Sequence, residues 1–436
     1  MRKFTISQKG FCKGILVLLA ATFVLYSIPK AYGSGFAIYT QGASSLGQGA
    51  ATIAHTDDPS AIFWNPALIN KLQGTQIQLG TTLIFPSRKF KSDSSGNTFK
   101  TEPDVFYPST LFITHKFNDK ISAGLGVFNP FGLGTRWDDD WEGRYIATNS
   151  EMQTFNINPA VSYKITPDVT VAAGLDFLLL DATLEKKINL PVLYALLGLP
   201  ILSRDGEQKF EGDGNGVGYN LGILLEPHRD IAIGASYRSE IKVDIDGKVT
   251  HTLPEGEPLG LFPNTKGKTT IKLPRQALAG IYYKGFDPFT FEIGFRWEGW
   301  SSYEELKIEL DQLVAGSTTS LTKKNWKDTY AMQLGAKYQL NESVALLAGY
   351  FYGGNPVPDE TFEPSIPDAN TSYYSIGTSV KHKNLKFDLS YGYQKLQSRS
   401  KNNLVADPIS MSPATSANGK YNTDIHMVGL SLTYRF

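Results

Sequence analysis

From about residue 75 to its end, the chain alternates very short connections with long polar ones, and few folds fit that spacing. The short connections are Phe117-Asn118-Asp119-Lys120, Thr166-Pro167-Asp168, Pro227-His228-Arg229-Asp230, Gly285-Phe286-Asp287-Pro288, Leu340-Asn341-Glu342-Ser343 and Lys383-Asn384. Between them lie seven longer polar stretches, roughly 87–106, 130–150, 187–208, 249–268, 300–325, 354–370 and 398–420. Together they separate fourteen strands. An up-and-down barrel with tight turns at one rim and long loops at the other has this layout. Outer-membrane barrels carry even strand numbers, periplasmic turns and extracellular loops. The expected fold is therefore an all-β membrane protein, a fourteen-stranded antiparallel barrel.

Within strands, residues alternate. In 289–298, Phe289, Phe291, Ile293, Phe295 and Trp297 share one face and Thr290, Glu292, Gly294, Arg296 and Glu298 the other. The segment 385–394 repeats this, with Leu385, Phe387, Leu389, Tyr391 and Tyr393 set against Lys386, Asp388, Ser390, Gly392 and Gln394. A soluble sandwich shows the same alternation with its apolar face inward, so the pattern alone does not choose between them. Aromatics near strand ends, Trp297, Trp300, Trp326, Tyr350, Tyr352 and Tyr434, fit interfacial girdles and favour the barrel. Glu292 and Arg296 read as a charge pair in the lumen.

Residues 1–33 read as a secretory signal. Arg2, Lys3, Lys9 and Lys13 form a basic head, Ile15 to Ile28 an apolar run, and Ala31-Tyr32-Gly33 a small-residue cleavage site. The run, about 14 residues, is short of the roughly 20 a helix needs to span a bilayer. The only cysteine, Cys12, falls in this leader, which leaves no disulfide, thiolate nucleophile or cysteine-based metal site beyond it. Removing residues 1–33 takes away five basic residues and no acidic one, leaving 37 basic against 42 acidic, a net charge of −5. No basic tract suggests nucleic acid. The six histidines (55, 115, 228, 251, 382, 426) lack ligand spacing, so no metal is expected, and no motif binds a nucleotide or other cofactor.

Residues 34–74 do not alternate. They run from Ser34-Gly35-Phe36 through the small-residue stretch Gly42 to Ala54, then Asp57-Asp58-Pro59 and Ile62-Phe63-Trp64-Asn65-Pro66-Ala67-Leu68. Asp57-Asp58-Pro59 has the chemistry of a helix start, and Asn65-Pro66 that of a turn. The segment is apolar and must be buried, and the interior of a wide barrel, 75–436, is the place for it. It is expected to act as a plug.

Here the chain resembles the FadL-type outer-membrane transporters of long-chain fatty acids and aromatic hydrocarbons. Gly35-Phe36 after the leader and Asn65, Pro66 and Ala67 before strand one carry the likeness, which runs the length of the mature chain. Asn129-Pro130-Phe131-Gly132-Leu133, Trp141-Glu142-Gly143-Arg144-Tyr145, Trp297-Glu298-Gly299-Trp300, Asn325-Trp326-Lys327-Asp328 and Pro356-Val357-Pro358-Asp359 are similar as well. The resemblance implies a fourteen-stranded barrel closed by an N-terminal hatch, passive uptake of a hydrophobic small molecule, and a monomer embedded in outer-membrane lipid.

Candidate site residues follow. The stretch 188–202 is too apolar for an ordinary external loop, and Leu193, Tyr194, Leu196 and Leu197 could form a capture surface at the outer mouth. A short helix packed on the barrel rim explains it equally well. Gly124 and Gly126 should weaken strand three before Asn129-Pro130 removes a ladder bond, so either the wall is weakest here or the strand simply ends. The resemblance implies an inward kink there that opens a lateral gap, and a basic residue at Lys186 near the ligand site, where it would face a carboxylate; a solvated lumen lysine is the plainer reading. Phe36, near the mature N-terminus, is expected close enough to this opening to shift with ligand occupancy. Asp176 and Asp181 precede Lys186 on its strand. A diffusion porin would share the barrel but needs an open lumen, which the apolar plug opposes. An outer-membrane lipid-active enzyme would need a hydroxyl nucleophile with His or acidic partners at strand tops, and no such grouping stands out.

Overall fold

The computed structural model describes residues 35–199, 204–254, 260–410, 412 and 415–436. The expected leader and Ser34 lie outside them, as do residues 200–202 of the apolar loop. One antiparallel sheet closes on itself. Its strands are β1 (Thr75–Ser92), β2 (Ser109–Lys116), β3 (Ile121–Phe128, resuming as Gly132–Arg136), β4 (Asn149–Thr166), β5 (Val169–Ile188), β6 (Gly206–His228) and β7 (Ile231–Arg238 and Ile241–Thr252). They continue as β8 (Thr265–Leu273 and Gln276–Phe286), β9 (Phe289–Glu298 and Glu305–Val314), β10 (Ser317–Lys323 and Thr329–Gln339), β11 (Val344–Gly353), β12 (Thr371–His382), β13 (Leu385–Leu396) and β14 (Gly419–Arg435). Unbroken pairing of β1 with β14, from Gln76↔Arg435 to Ser92↔Gly419, closes the barrel. The stretch 300–325 is less a loop than a hairpin, in which β9 and β10 rise beyond the rim and pair from Glu305↔Lys323.

Burial decides which face meets lipid. Phe289, Phe291, Phe295, Leu385, Phe387 and Leu389 are exposed, whereas Glu292, Arg296, Glu298, Lys386 and Asp388 are buried. This is the reverse of a soluble sandwich and the arrangement a bilayer demands. Higher on the wall the pattern inverts. On β7, Ile241, Val243, Ile245 and Val249 are buried while Lys242, Asp244, Asp246 and Lys248 point out. On β6, Phe210 is buried between the outward Lys209 and Glu211. Outside the lipid band the barrel turns a charged face to water and an apolar face to its lumen. Trp300 and Trp326 likewise do not join a girdle: both are buried inside the barrel.

Residues 35–74 fill the lower lumen. They form α1 (Ala43–Gly47), α2 (Ala61–Trp64) and a 3-10 turn (Pro66–Lys71). The Asp58 carboxylate accepts from the Ser60 amide at 3.0 Å and its carbonyl accepts the Ala61 amide, so Asp58 braces the turn that leads into α2, whose N-cap is Ser60. Ile53, Ile62, Trp64 and Ile69 are fully buried, each worth about 1.5–3 kcal/mol relative to exposure. Two wall glycines let the hatch backbone approach. A Cβ on Gly234 would sit 2.2 Å from the Ile53 carbonyl oxygen, and one on Gly349 2.0 Å from the Gly49 nitrogen.

Candidate functional site

Polar groups anchor the hatch from three sides. Asn65, extended at φ −158°, caps the 3-10 turn by accepting from the Ala67 amide and donates to the carbonyls of Ile53 (2.9 Å) and Ile223 (3.0 Å). Pro66 supplies the first turn without a donor to satisfy. The Glu292 carboxylate accepts the backbone amides of Ile53, Ala54 and His55, so it serves the hatch rather than Arg296, whose nearest carboxylate is Glu298 at 3.7 Å. Asp57 contacts Lys386 (2.7 Å), Lys381 (2.9 Å) and Lys337 (3.0 Å), and Asp58 contacts Lys386 at 3.0 Å. Burial opposes a charge on Asp57, but the three lysines outweigh it and hold its carboxyl well below the usual range. Burial drives His55 down to about 4, so it stays neutral against Tyr282, on which it stacks at 4.2 Å.

Above the hatch, the inverted upper walls enclose a cavity of about 150 Å³. Phe36, Met152, Leu180, Phe210, Ile245 and Ile271 supply its apolar lining, with Tyr303 and Ile308 from the β9 side. Phe36 is buried edge-on to Trp300 (4.6 Å) and Phe131 (6.2 Å), with Trp326 at 5.4 Å. Lys186 falls in the inward register of β5 and lines this cavity with no ion pair among the described residues. Asp176 and Asp181 are not its neighbours in function: Asp176 is buried against Arg238, and Asp181 faces outward. Lys324, also on the cavity, is already matched by Glu363. Burial opposes both charges, yet their attraction raises the lysine and lowers the carboxyl.

The wall is interrupted, but not at its glycines. Gly124 pairs with Thr114 and Ala160, and Gly126 with Phe112 and Asn158, so the ladder is intact on both sides of each. Gly124 instead leaves room for Ile62 of the hatch, 2.7 Å from where a Cβ would sit. The break comes at Asn129-Pro130-Phe131. Here β3 turns to the hatch: the Ile38 amide donates to the Pro130 carbonyl and the Gly132 amide to the Phe36 carbonyl, both at 2.9 Å. Asn129 Nδ2 donates to the Thr154 carbonyl, and the Asn129 carbonyl accepts from Gln41 at 2.7 Å. On the other side, β2 and β3 part company above Leu111↔Val127, and the chain leading into β2 rejoins the end of β3 at Thr101↔Trp137, where the Glu102 amide donates to the Arg136 carbonyl at 2.9 Å. The intervening chain pairs with β1 through Phe106↔Ile84. The Phe106 ring lies over Gly134, in space a Cβ there would occupy.

The loop residues separate. Helix α3 (Leu190–Leu196) buries Leu190 and Tyr194 with Ile188 and Phe262, and Leu193 is partly covered by the same cluster. Leu196 and Leu197 are 68% and 51% exposed. None of the four lines the Lys186 cavity. Phe36 and Lys186 are brought together; Leu196 and Leu197 form a separate external patch, with Tyr194 buried beneath it and Leu193 partly covered. Phe106, Trp300 and Trp326 were not expected here. Trp300 and Trp326 sit inside the motifs that carry the resemblance, whereas Phe106 has no such signal.

A protein-family model described as outer membrane protein transport protein (OMPP1/FadL/TodX) matches residues 24–436. A long-chain fatty acid transport protein of Escherichia coli O6:H1 is 26% identical over 406 residues, covering 86% of this chain and 90% of that protein. The 47 kDa outer membrane protein of Pasteurella multocida is 26% identical over 427 residues, covering 93% and 95%. Among solved structures, a Pseudomonas aeruginosa FadL homologue aligns with a TM-score of 0.82 at 19% identity over 92% of this chain and 100% of that one. The P. putida toluene transporter TodX aligns with a TM-score of 0.73 at 16% identity, over 91% and 98%.

Proposed function

Because the chain belongs to the outer membrane protein transport protein family (OMPP1/FadL/TodX), we propose that it carries hydrophobic small molecules inward across the outer membrane, passively and as a monomer. The observation that carries this reading is the apolar cavity sealed below by the hatch and lined by a cation, Lys186, that has no ion pair among the described residues. An amphiphile bearing a carboxylate fits it: the tail lies among Phe36, Phe210, Ile245 and Ile271, and the head pairs with Lys186 in a charge-assisted bond. Capture begins at the exposed Leu196 and Leu197 beside α3, and the leader 1–33 is removed before the barrel assembles. The plug of residues 35–74 speaks against a diffusion porin.

The exit is lateral, between β2 and β3 at Asn129-Pro130-Phe131, with Phe106 as its stopper. A ligand leaving downward must displace the hatch and enter water, whereas one leaving sideways keeps its hydrocarbon out of water. Each methylene so kept is worth about 0.8 kcal/mol. A second reading, transport of a compact aromatic hydrocarbon, is favoured by the cavity volume of about 150 Å³; an apolar cavity of about that size accommodates benzene.

Uptake assays separate these. Cells lacking the protein should take up long-chain fatty acids, or monoaromatic hydrocarbons, more slowly than cells that have it. If both rates were unchanged while sugar entry slowed, a porin would replace this proposal.

A further inference from the structure

The outer surface carries a second concave feature, remote from the lumen. A groove of about 560 Å³ lies on the lipid-facing side of β6 to β10. Two cross-strand rows build it. One runs Leu221–Tyr237–Ala277–Trp297, and the next runs through Ala235 and Ala279 to Phe295. Three alanines, 235, 277 and 279, make a trough between larger side chains, and its lining is almost wholly apolar. The trough has the width of small side chains and the polarity of an acyl chain.

Cations crown the groove at its extracellular end. Lys242 of β7 and Lys272 of β8 are direct cross-strand partners, both exposed, and two rungs above the intervening Asp246↔Lys268 pair the same strands set Lys248 against Lys266. Like charges directly opposite in a sheet are unfavourable unless an anion sits between them. Both strands are interrupted just below, at Ser239-Glu240 and at Pro274-Arg275. The irregularity at Pro274 shifts the alternation, so Lys272 and Arg275, three apart, emerge on the same face; a regular strand would separate them. Arg275 lies over the Trp297 ring at 5.3 Å, at the head of the groove. Lys242 is shared with Asp244 at 2.9 Å, while Lys272, Arg275 and the nearby Glu240 form no ion pair among the described residues.

We infer that this face is a docking site for one molecule of an outer-leaflet glycolipid bearing phosphate, with an acyl chain in the alanine trough and the phosphate between Lys272, Lys242 and Arg275. The inference rests on charge complementarity and on the continuity of groove and cations, and it is independent of what the lumen carries. Ordinary annular lipid needs neither trough nor crown.

The test is retention of lipid A. The full-length protein is purified in mild detergent, and bound lipid A per barrel is counted by mass spectrometry. Lys272→Glu with Arg275→Glu should lower retention at least tenfold, and Ala279→Trp, which fills the trough without touching charge, should do the same. Dephosphorylated lipid A added back should bind the unaltered protein no better than it binds the charge-reversed one. Retention unchanged in both variants overturns the site. Equal recovery of phosphorylated and dephosphorylated lipid overturns the role of the cations. Slower migration of the unheated barrel on a gel would identify a variant that fails to fold, and the remaining variant then decides.

Discussion

The Gly132 amide donates to the Phe36 carbonyl at 2.9 Å, so the first described residues of the hatch are joined to the strand that carries the wall's interruption. The same Phe36 presents its ring to the cavity and packs against Trp300 and Trp326. A ligand that shifts this ring therefore pulls on the break in β3. Phe36→Ala removes the ring from a close-packed aromatic cluster, where such truncations cost about 3–5 kcal/mol. The expected outcome is a barrel that stays folded while residues near 36 become sensitive to limited proteolysis, and the tryptophan fluorescence response to added ligand falls. Unchanged protease resistance would show that the ring does not hold the segment.

Lys186 distinguishes the two substrate readings. A hydrogen bond to a charged group contributes about 1.5–3 kcal/mol, and each 1.4 kcal/mol is tenfold in affinity. Lys186→Gln should weaken fatty acid binding by about 10- to 100-fold and leave a monoaromatic hydrocarbon nearly untouched. Equal losses for both would mean that the lysine supports the cavity's shape and does not pair a carboxylate.

The seal at the lower end should depend on acid. The Asp57 carboxyl is held below its ordinary value of roughly 4. Its contribution is therefore complete above that value and fades as pH falls through the lower folded value. Conductance of the barrel in a planar bilayer should rise as pH falls below about 4, and Asp57→Asn should remove that step. Asp57→Asn leaves Lys337 and Lys381 without that partner and should raise conductance at neutral pH. Gly349→Val, which drives a side chain into Gly49, should do so irrespective of pH.

Strand number and hatch position were legible because both rest on local chemistry. Tight connections such as Lys383-Asn384 announce themselves, and an apolar, non-alternating segment such as Ile62-Phe63-Trp64 has to be covered. The reversal of polarity along the longer strands was equally available, in Ile241-Lys242-Val243-Asp244-Ile245, where the charged residues take the face that apolar ones hold lower down. It goes unseen if only the lipid-band segments are compared. What no local pattern reveals is contact across the lumen. Trp300 and Trp326 resemble girdle residues until Phe36, more than 250 positions away, is packed against both. Gly124 resembles a weakness until Ile62 occupies the space it leaves. A glycine's purpose depends on what faces it, and that partner is chosen by the fold.

The proposed lateral exit can be tested at single side chains. Between Leu111↔Val127 and Thr101↔Trp137 no ladder joins β2 to β3, and Phe106 covers Gly134 in the space between. Thr154 holds the break open from the other side: its hydroxyl donates to the Phe131 carbonyl at 2.6 Å and accepts the Phe131 amide at 3.1 Å. Removing the Phe106 ring should cost the barrel little, since the ring is only partly buried and the strands around it keep their own pairs. Phe106→Ala should therefore leave folding and the hatch intact but speed delivery of a fluorescent fatty acid from the extracellular side into the bilayer of a proteoliposome. Phe106→Trp should slow it. Thr154→Val, which drops both bonds to Phe131, should change the rate without altering the Lys186 cavity. A ligand that descended through the hatch would pass none of these side chains, and all three variants would then transport at the rate of the unaltered protein.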